Sequence, residues 1–101
     1  MINVIASITV KEGRKSDFLK IFKANVPAVR KEKGCIEYFP SLDLKTGIPV
    51  QELNPRNVTI IEKWESLEAL KAHLKTPHML DYKEKVKDIV ESVSLKVLEE
   101  A

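Results

Sequence analysis

The chain has 101 residues, 44% hydrophobic and 32% charged, the make-up of one ordinary globular domain. Its 17 basic and 15 acidic side chains are interspersed and leave a formal net charge of +2, which argues against a nucleic-acid or membrane-surface specialist. With a single cysteine, Cys35, no bilayer-length apolar run and no secretory leader pattern, the sequence predicts a cytoplasmic protein without an internal disulfide.

Residues 2–10 read as a strand. Ile2, Val4, Ala6, Ile8 and Val10 are apolar at period two, and Asn3, Ser7 and Thr9 fall on the other face. Ile5 interrupts that polar side. After the polar break Lys11-Glu12-Gly13, the period becomes helical over residues 14–33. Phe18, Ile21, Phe22, Val26 and Val29 form one stripe. Pro27 lies inside it, lacks an N–H and crowds the preceding turn, so a kink or a break into two shorter helices is expected. Gly34 ends the helix. Residues 35–42 form a second strand with Tyr38 and Phe39 on opposite faces. Pro40 puts this strand at a sheet edge or a bulge, because proline cannot donate to an interior ladder. Residues 44–56, with Gly47, Pro49, Asn54 and Pro55, form a loop that is long for a hairpin.

Residues 57–65 form a third strand on which Val58, Ile60, Glu62 and Trp64 share a face. Ser66 is an N-cap for a helix carrying Leu67, Leu70 and Leu74. Thr76-Pro77 restarts the chain: threonine caps, and proline takes the first helical position. Met79, Tyr82, Val86, Ile89 and Val90 are read as the stripe of the last helix, and residues 92–98 as a closing strand with Val93, Leu95 and Val97 alternating. The order βαββαβ, with its second helical region split, is the α+β, ferredoxin-like pattern with an antiparallel four-stranded sheet. One helical layer covers one sheet face. The other carries Ile5, Phe39 and Ile61 among polar residues, so pairing of two copies through it, a homodimer, is expected.

Candidate chemistry concentrates in one stretch. Glu62, Trp64, His73, His78 and Tyr82 lie on one strand and the helical region after it. A neutral histidine can accept a proton from a phenol or quinol hydroxyl, which is general-base chemistry near neutral pH. His78 stands at a helix start, where an imidazolium is disfavoured. The ordinary reading of either histidine is a surface or hydrogen-bonded structural residue. Glu62 is a carboxyl on an otherwise apolar face, and must be paired, solvated or protonated. It is a candidate base or ligand partner, or the partner of a lysine at the rim. Trp64, Tyr38 and Tyr82 are the aromatic candidates for substrate contact, each with an ordinary core role as the alternative. Nothing visible activates Cys35. No metal or nucleotide motif is present, so no metal and no cofactor are expected.

These segments resemble a known family. Gly34-Cys35 with Tyr38, Pro40 and Asp43, then Ile61-Glu62-Lys63-Trp64-Glu65-Ser66, then Ala72-His73-Leu74 and Thr76-Pro77-His78-Met79 are similar to the antibiotic biosynthesis monooxygenase domain. Val4-Ile5-Ala6 and Val26-Pro27 extend the resemblance over nearly the whole chain, and the branch it most resembles is the bacterial cofactor-free quinol monooxygenase type. The resemblance implies a dimeric α+β barrel with a ligand pocket between sheet and helices. It implies oxidation of a small quinol or phenolic substrate by molecular oxygen, without flavin, haem or metal. The family tryptophan maps to Trp64 and its helical histidines to His73 and His78. A haem-degrading branch uses a first-strand asparagine where this chain has Ala6 or Ser7. An isomerase branch acts on phosphorylated sugars, and no convergent cationic cluster for a phosphate is visible here. A non-catalytic ligand-binding protein on the same scaffold is the third alternative.

Overall fold

The computed structural model describes residues 1–101. Its elements are β1 (Ile2–Val10), α1 (Lys15–Arg30), β2 (Cys35–Ser41), β3 (Asn57–Trp64), α2 (Leu67–His73), α3 (Pro77–Val86) and β4 (Val90–Leu98). The strands form one antiparallel sheet in the order β2-β3-β1-β4. This is the expected α+β, ferredoxin-like arrangement, with the second helical region in two pieces.

The alternation in β1 and β3 decides which face is buried. Val4, Ala6, Ile8 and Val10 are buried, as are Val58, Ile60, Glu62 and Trp64. The register pairs Val4 with Glu62, Ala6 with Ile60 and Ile8 with Val58, so these residues line one face of the two central strands. Phe18, Phe22 and Val29 of α1 and Met79, Tyr82 and Val86 of α3 cover that face. Phe22 is the centre of an aromatic cluster: its ring stacks on Tyr38 at 5.3 Å and meets Tyr82 edge-on at 5.7 Å. Burial of such rings supplies much of a small domain's core energy.

Two expectations need correction. First, α1 runs unbroken through Pro27 to Arg30. Pro27 lies on the exposed side, and Lys23, whose carbonyl loses its helical donor, is exposed too. Phe18 and Phe22 before the proline and Val29 after it are buried in the same core, so packing holds both halves in one helix. Second, the last helix stops at Val86, and β4 begins at Val90 rather than at residue 92. Ile89 is buried in the turn between them: its N–H donates to Val86 and its carbonyl accepts from Lys11. Val90 joins the sheet opposite Val10, past an irregularity in the β1–β4 register. A pair of adjacent apolar residues suits either period, and the backbone partners of this turn decide between them.

Pro40 is on β2, an edge strand, as its missing donor requires. β4 is the other edge. Val93, Leu95 and Val97 are in register with Ile8, Ala6 and Val4, so they point to the helix side. They are nevertheless 60%, 54% and 45% exposed, because the helices do not reach over this edge. On the opposite face Phe39, Ile61 and Ile5 form a cross-strand row. Beside it, Ser7 Oγ donates to Asn57 Oδ1 and Asn57 Nδ2 donates to Thr59. That outer face is therefore half apolar and half polar.

Candidate functional site

A cavity of about 360 Å³ lies between the sheet and α3. Ala6, Ile8 and Ile60 form its floor, while Met79, Tyr82 and Val86 form its roof. It opens past Val93 and Leu95 of β4, with Lys83 and Lys87 at the rim. An apolar chamber of this size with a few convergent polar groups is the usual form of a small-molecule site. The polar groups here are Glu62, His73 and the two tyrosines.

Glu62 is inside because strand alternation leaves it no other direction; it is 7% exposed. The Trp64 indole N–H donates to its Oε1 at 2.9 Å, so its protein partner is an indole rather than a rim lysine. Burial pushes its carboxyl up to about 6; the Trp64 hydrogen bond pulls against this, and the charge of Glu32 adds to the rise. Such a carboxyl changes charge near neutral pH.

His73 is the last residue of α2 and is 1% exposed. Ser66 caps that helix by accepting from Ala69 N at 3.2 Å. The His73 ring lies 4.6 Å from the Trp64 ring and meets Tyr38 edge-on at 5.5 Å. Its Nδ1 is 2.9 Å and 3.1 Å from the two carboxylate oxygens of Glu32. Burial lowers its pKa below the ordinary histidine value, with the Glu32 hydrogen bond opposing, so the ring is neutral at pH 7. A carboxylate only accepts, so Nδ1 carries the hydrogen and Nε2 carries the lone pair. No buried polar side-chain atom of the chain lacks a partner. Nε2, which has none in the protein, is therefore the atom of His73 that reaches the cavity.

The remaining candidates divide. Tyr38 and Tyr82 are in the cavity wall, and burial pushes both phenols well above their ordinary range, with the charge of Glu62 adding to it. They stay neutral and can donate. Trp64 is fully buried and does not line the cavity; it stands behind the wall, holding Glu62 by hydrogen bond and His73 by ring contact. His78 does not line the cavity either. It follows the Thr76 cap and Pro77, is 28% exposed, and its Nε2 lies 2.6 Å from Glu32 Oε2. Thus Glu62 and His73 share the chamber, and His78 approaches it only through Glu32.

Glu32 is the group that sequence reading does not find. It stands among Arg30, Lys31 and Lys33, which look like a solvated helix end. The signal that could have found it is Gly34. Its φ is +88°, and a Cβ there would lie 2.6 Å from the Ala69 Cβ. The turn after α1 is thus pressed against α2, which brings Glu32 to His73.

A family model described as antibiotic biosynthesis monooxygenase matches residues 1–85. The chain is 40% identical to the probable quinol monooxygenase YgiN of Escherichia coli strain K12, over 98% of this chain and 97% of that protein. Among solved structures, PA3566 from Pseudomonas aeruginosa superposes with a TM-score of 0.82 at 24% identity, covering 99% of this chain and 93% of that one. A conserved protein from Methanosarcina mazei Go1 gives 0.85 at 22% identity, covering 99% and 92%. These structures share the fold.

Proposed function

The chain belongs to the antibiotic biosynthesis monooxygenase family, and from that premise we propose that it hydroxylates a small quinol or related phenol with molecular oxygen. One observation carries the reading: a neutral His73, its Nε2 free of protein partners, beside Glu62 in an otherwise apolar chamber. The similarity to a protein named a probable quinol monooxygenase supports the substrate class.

The electrons come from the substrate. A quinol and one O₂ yield a hydroxyquinone and one water, so four electrons leave the ring, one oxygen atom enters it and the other departs as water. Free quinol reacts slowly with oxygen, whereas its anion is a far better electron donor. The protein's task is to make the anion, hold it beside oxygen and exclude bulk water. His73 Nε2 takes the hydroxyl proton. Glu62 accepts a hydrogen bond from the second hydroxyl, and Tyr38 and Tyr82 contact the ring. The proton on His73 then returns to the oxygen that leaves as water. About 360 Å³ suits an aromatic system of one or two fused rings.

The active form in this reading is a homodimer. The row Ile5, Ile61 and Phe39 supports pairing through the outer sheet face, and the open strip Val93, Leu95 and Val97 adds apolar area beside the cavity mouth. The test is oxygen uptake by metal-free protein across a panel of reduced benzoquinones and naphthoquinones. Uptake well above the rate of quinol alone is expected, with a fall of roughly 10²-fold or more in His73→Ala, the usual scale for losing a general base. Equal rates for the wild type and this variant would remove the proposal.

A further inference from the structure

We infer that Glu32 is a positioning residue that fixes His73 as a base aimed into the cavity, and that His78 clamps Glu32 from the solvent side. This inference rests on the proposed role of His73 as the proton acceptor.

The geometry is that of one carboxylate serving two rings. Glu32 Oε2 lies 2.9 Å from His73 Nδ1 and 2.6 Å from His78 Nε2. The two rings come from different elements, the end of α2 and the first turn of α3, and Glu32 comes from the turn after α1. The carboxylate is 11% exposed. A buried carboxylate with one donor would have free lone pairs and several rotamers. With imidazole donors converging on Oε2 and its other oxygen also near His73, its position is determined. Trp64 closes the remaining freedom of His73 by packing on its ring.

The consequence is chemical. In a neutral imidazole, the hydrogen bond made by one nitrogen decides which one carries the proton. Here it leaves Nε2 bare on the cavity side. When the quinol hydroxyl gives its proton to Nε2, the ring becomes an imidazolium with both nitrogens protonated. The Nδ1 hydrogen stays where it is, and the new positive charge faces Glu32. The groups around His73 are Glu32 from the turn, Tyr38 from β2, Glu62 and Trp64 from β3, and His78 and Lys83 from α3. Of these, Glu32 is the carboxylate in hydrogen-bond contact with the ring. The arrangement therefore favours the charged ring of the transition state over the neutral ring of the resting state, which is where an interaction accelerates a reaction. An orienting carboxylate behind a histidine base recurs on unrelated folds.

The experiment uses the full chain and two readouts. Imidazole nitrogen NMR on substrate-free protein at pH 7.5 reports the tautomer of His73. The wild type is expected to show hydrogen on Nδ1 and a bare Nε2. In Glu32→Leu no acceptor faces Nδ1, and the hydrogen is expected to shift to Nε2, the nitrogen that carries it in a free neutral imidazole. Quinol-dependent oxygen uptake in that variant should fall roughly 10²-fold or more in kcat, with a much smaller change in KM. Glu32→Asp keeps the acceptor and should retain the wild-type tautomer and recover part of the rate. His78→Leu removes the N–H donor on Glu32 Oε2 and should lower kcat, and His78→Gln, which keeps a donor there, should recover most of that loss. A wild-type His73 with hydrogen on Nε2 would overturn the inference, and that measurement needs no variant to fold. So would an unchanged tautomer in Glu32→Leu. A tautomer that switches as expected, in a protein that turns over no quinol, would uphold the role of Glu32 and sink the proposed function instead.

Discussion

Replacing Glu62 by glutamine should stabilise the protein above pH 6.5 and abolish a specific piece of its pH dependence. Glutamine keeps a carbonyl oxygen that can accept the Trp64 indole hydrogen, now made to Glu62 Oε1 at 2.9 Å, and it removes the charge that burial disfavours. The Glu62 carboxyl is raised from 4.5 to about 6 in the folded chain, burial being the largest cause. A carboxyl raised by folding favours the folded state below its unfolded pKa, and that contribution is lost as pH climbs through the folded value. The rise corresponds to about 2 kcal/mol. The wild type should therefore lose about 2 kcal/mol relative to Glu62→Gln between pH 4 and pH 7.5. Other groups titrate in both proteins, so the difference isolates Glu62. The assay is urea unfolding at fixed protomer concentration, since assembly would otherwise enter the comparison. A difference that is flat across this window, or that favours the wild type as pH rises, would refute the assignment of Glu62 as a buried carboxyl short of hydrogen bonds.

Three further outcomes follow from other parts of the structure. Trp64→Phe removes the donor that holds the Glu62 pKa down, so the carboxyl should titrate at higher pH; infrared titration of the carboxylate band checks this. Gly34→Ala forces a side chain into a backbone at φ +88° and sets its Cβ 2.6 Å from Ala69. It should cost on the order of 1–3 kcal/mol in denaturant unfolding and, by pushing the turn off α2, also lower turnover. Ile61→Asp places an unpaired carboxylate in the middle of the row formed with Ile5 and Phe39, so sedimentation should show weakened pairing, while a protein that is monomeric before the change would dispose of the homodimer.

What could be read from the sequence follows from how local each signal is. The strand period of two put Val58, Ile60, Glu62 and Trp64 on one face before any contact was visible, and the buried face of β3 is the same set. Ser66 and Thr76 marked helix starts by their own chemistry, and both side chains cap where expected. Pro27 misled because proline's cost depends on where it falls on the helix, and here both Pro27 and Lys23 fall on the exposed side. Ile89 and Val90 misled because two adjacent apolar residues fit a helix end or a strand start equally well. The division of the two histidines was out of reach. His73 and His78 are five positions apart and chemically alike, and only the turn between α2 and α3 sends one ring into the chamber and the other to its outer side. Glu32 lies 41 residues before His73, and the charged run Arg30-Lys31-Glu32-Lys33 does not by itself distinguish a carboxylate that folds inward from one that does not.

The central claim is that this chamber lets a quinol supply the electrons for its own hydroxylation. The most direct measurement is mass spectrometry of the product formed under isotopically labelled oxygen. The reading predicts a hydroxyquinone carrying one labelled oxygen atom, formed by the wild type and lost in His73→Ala. A product that is only the unlabelled parent quinone, formed equally by both proteins, would contradict it.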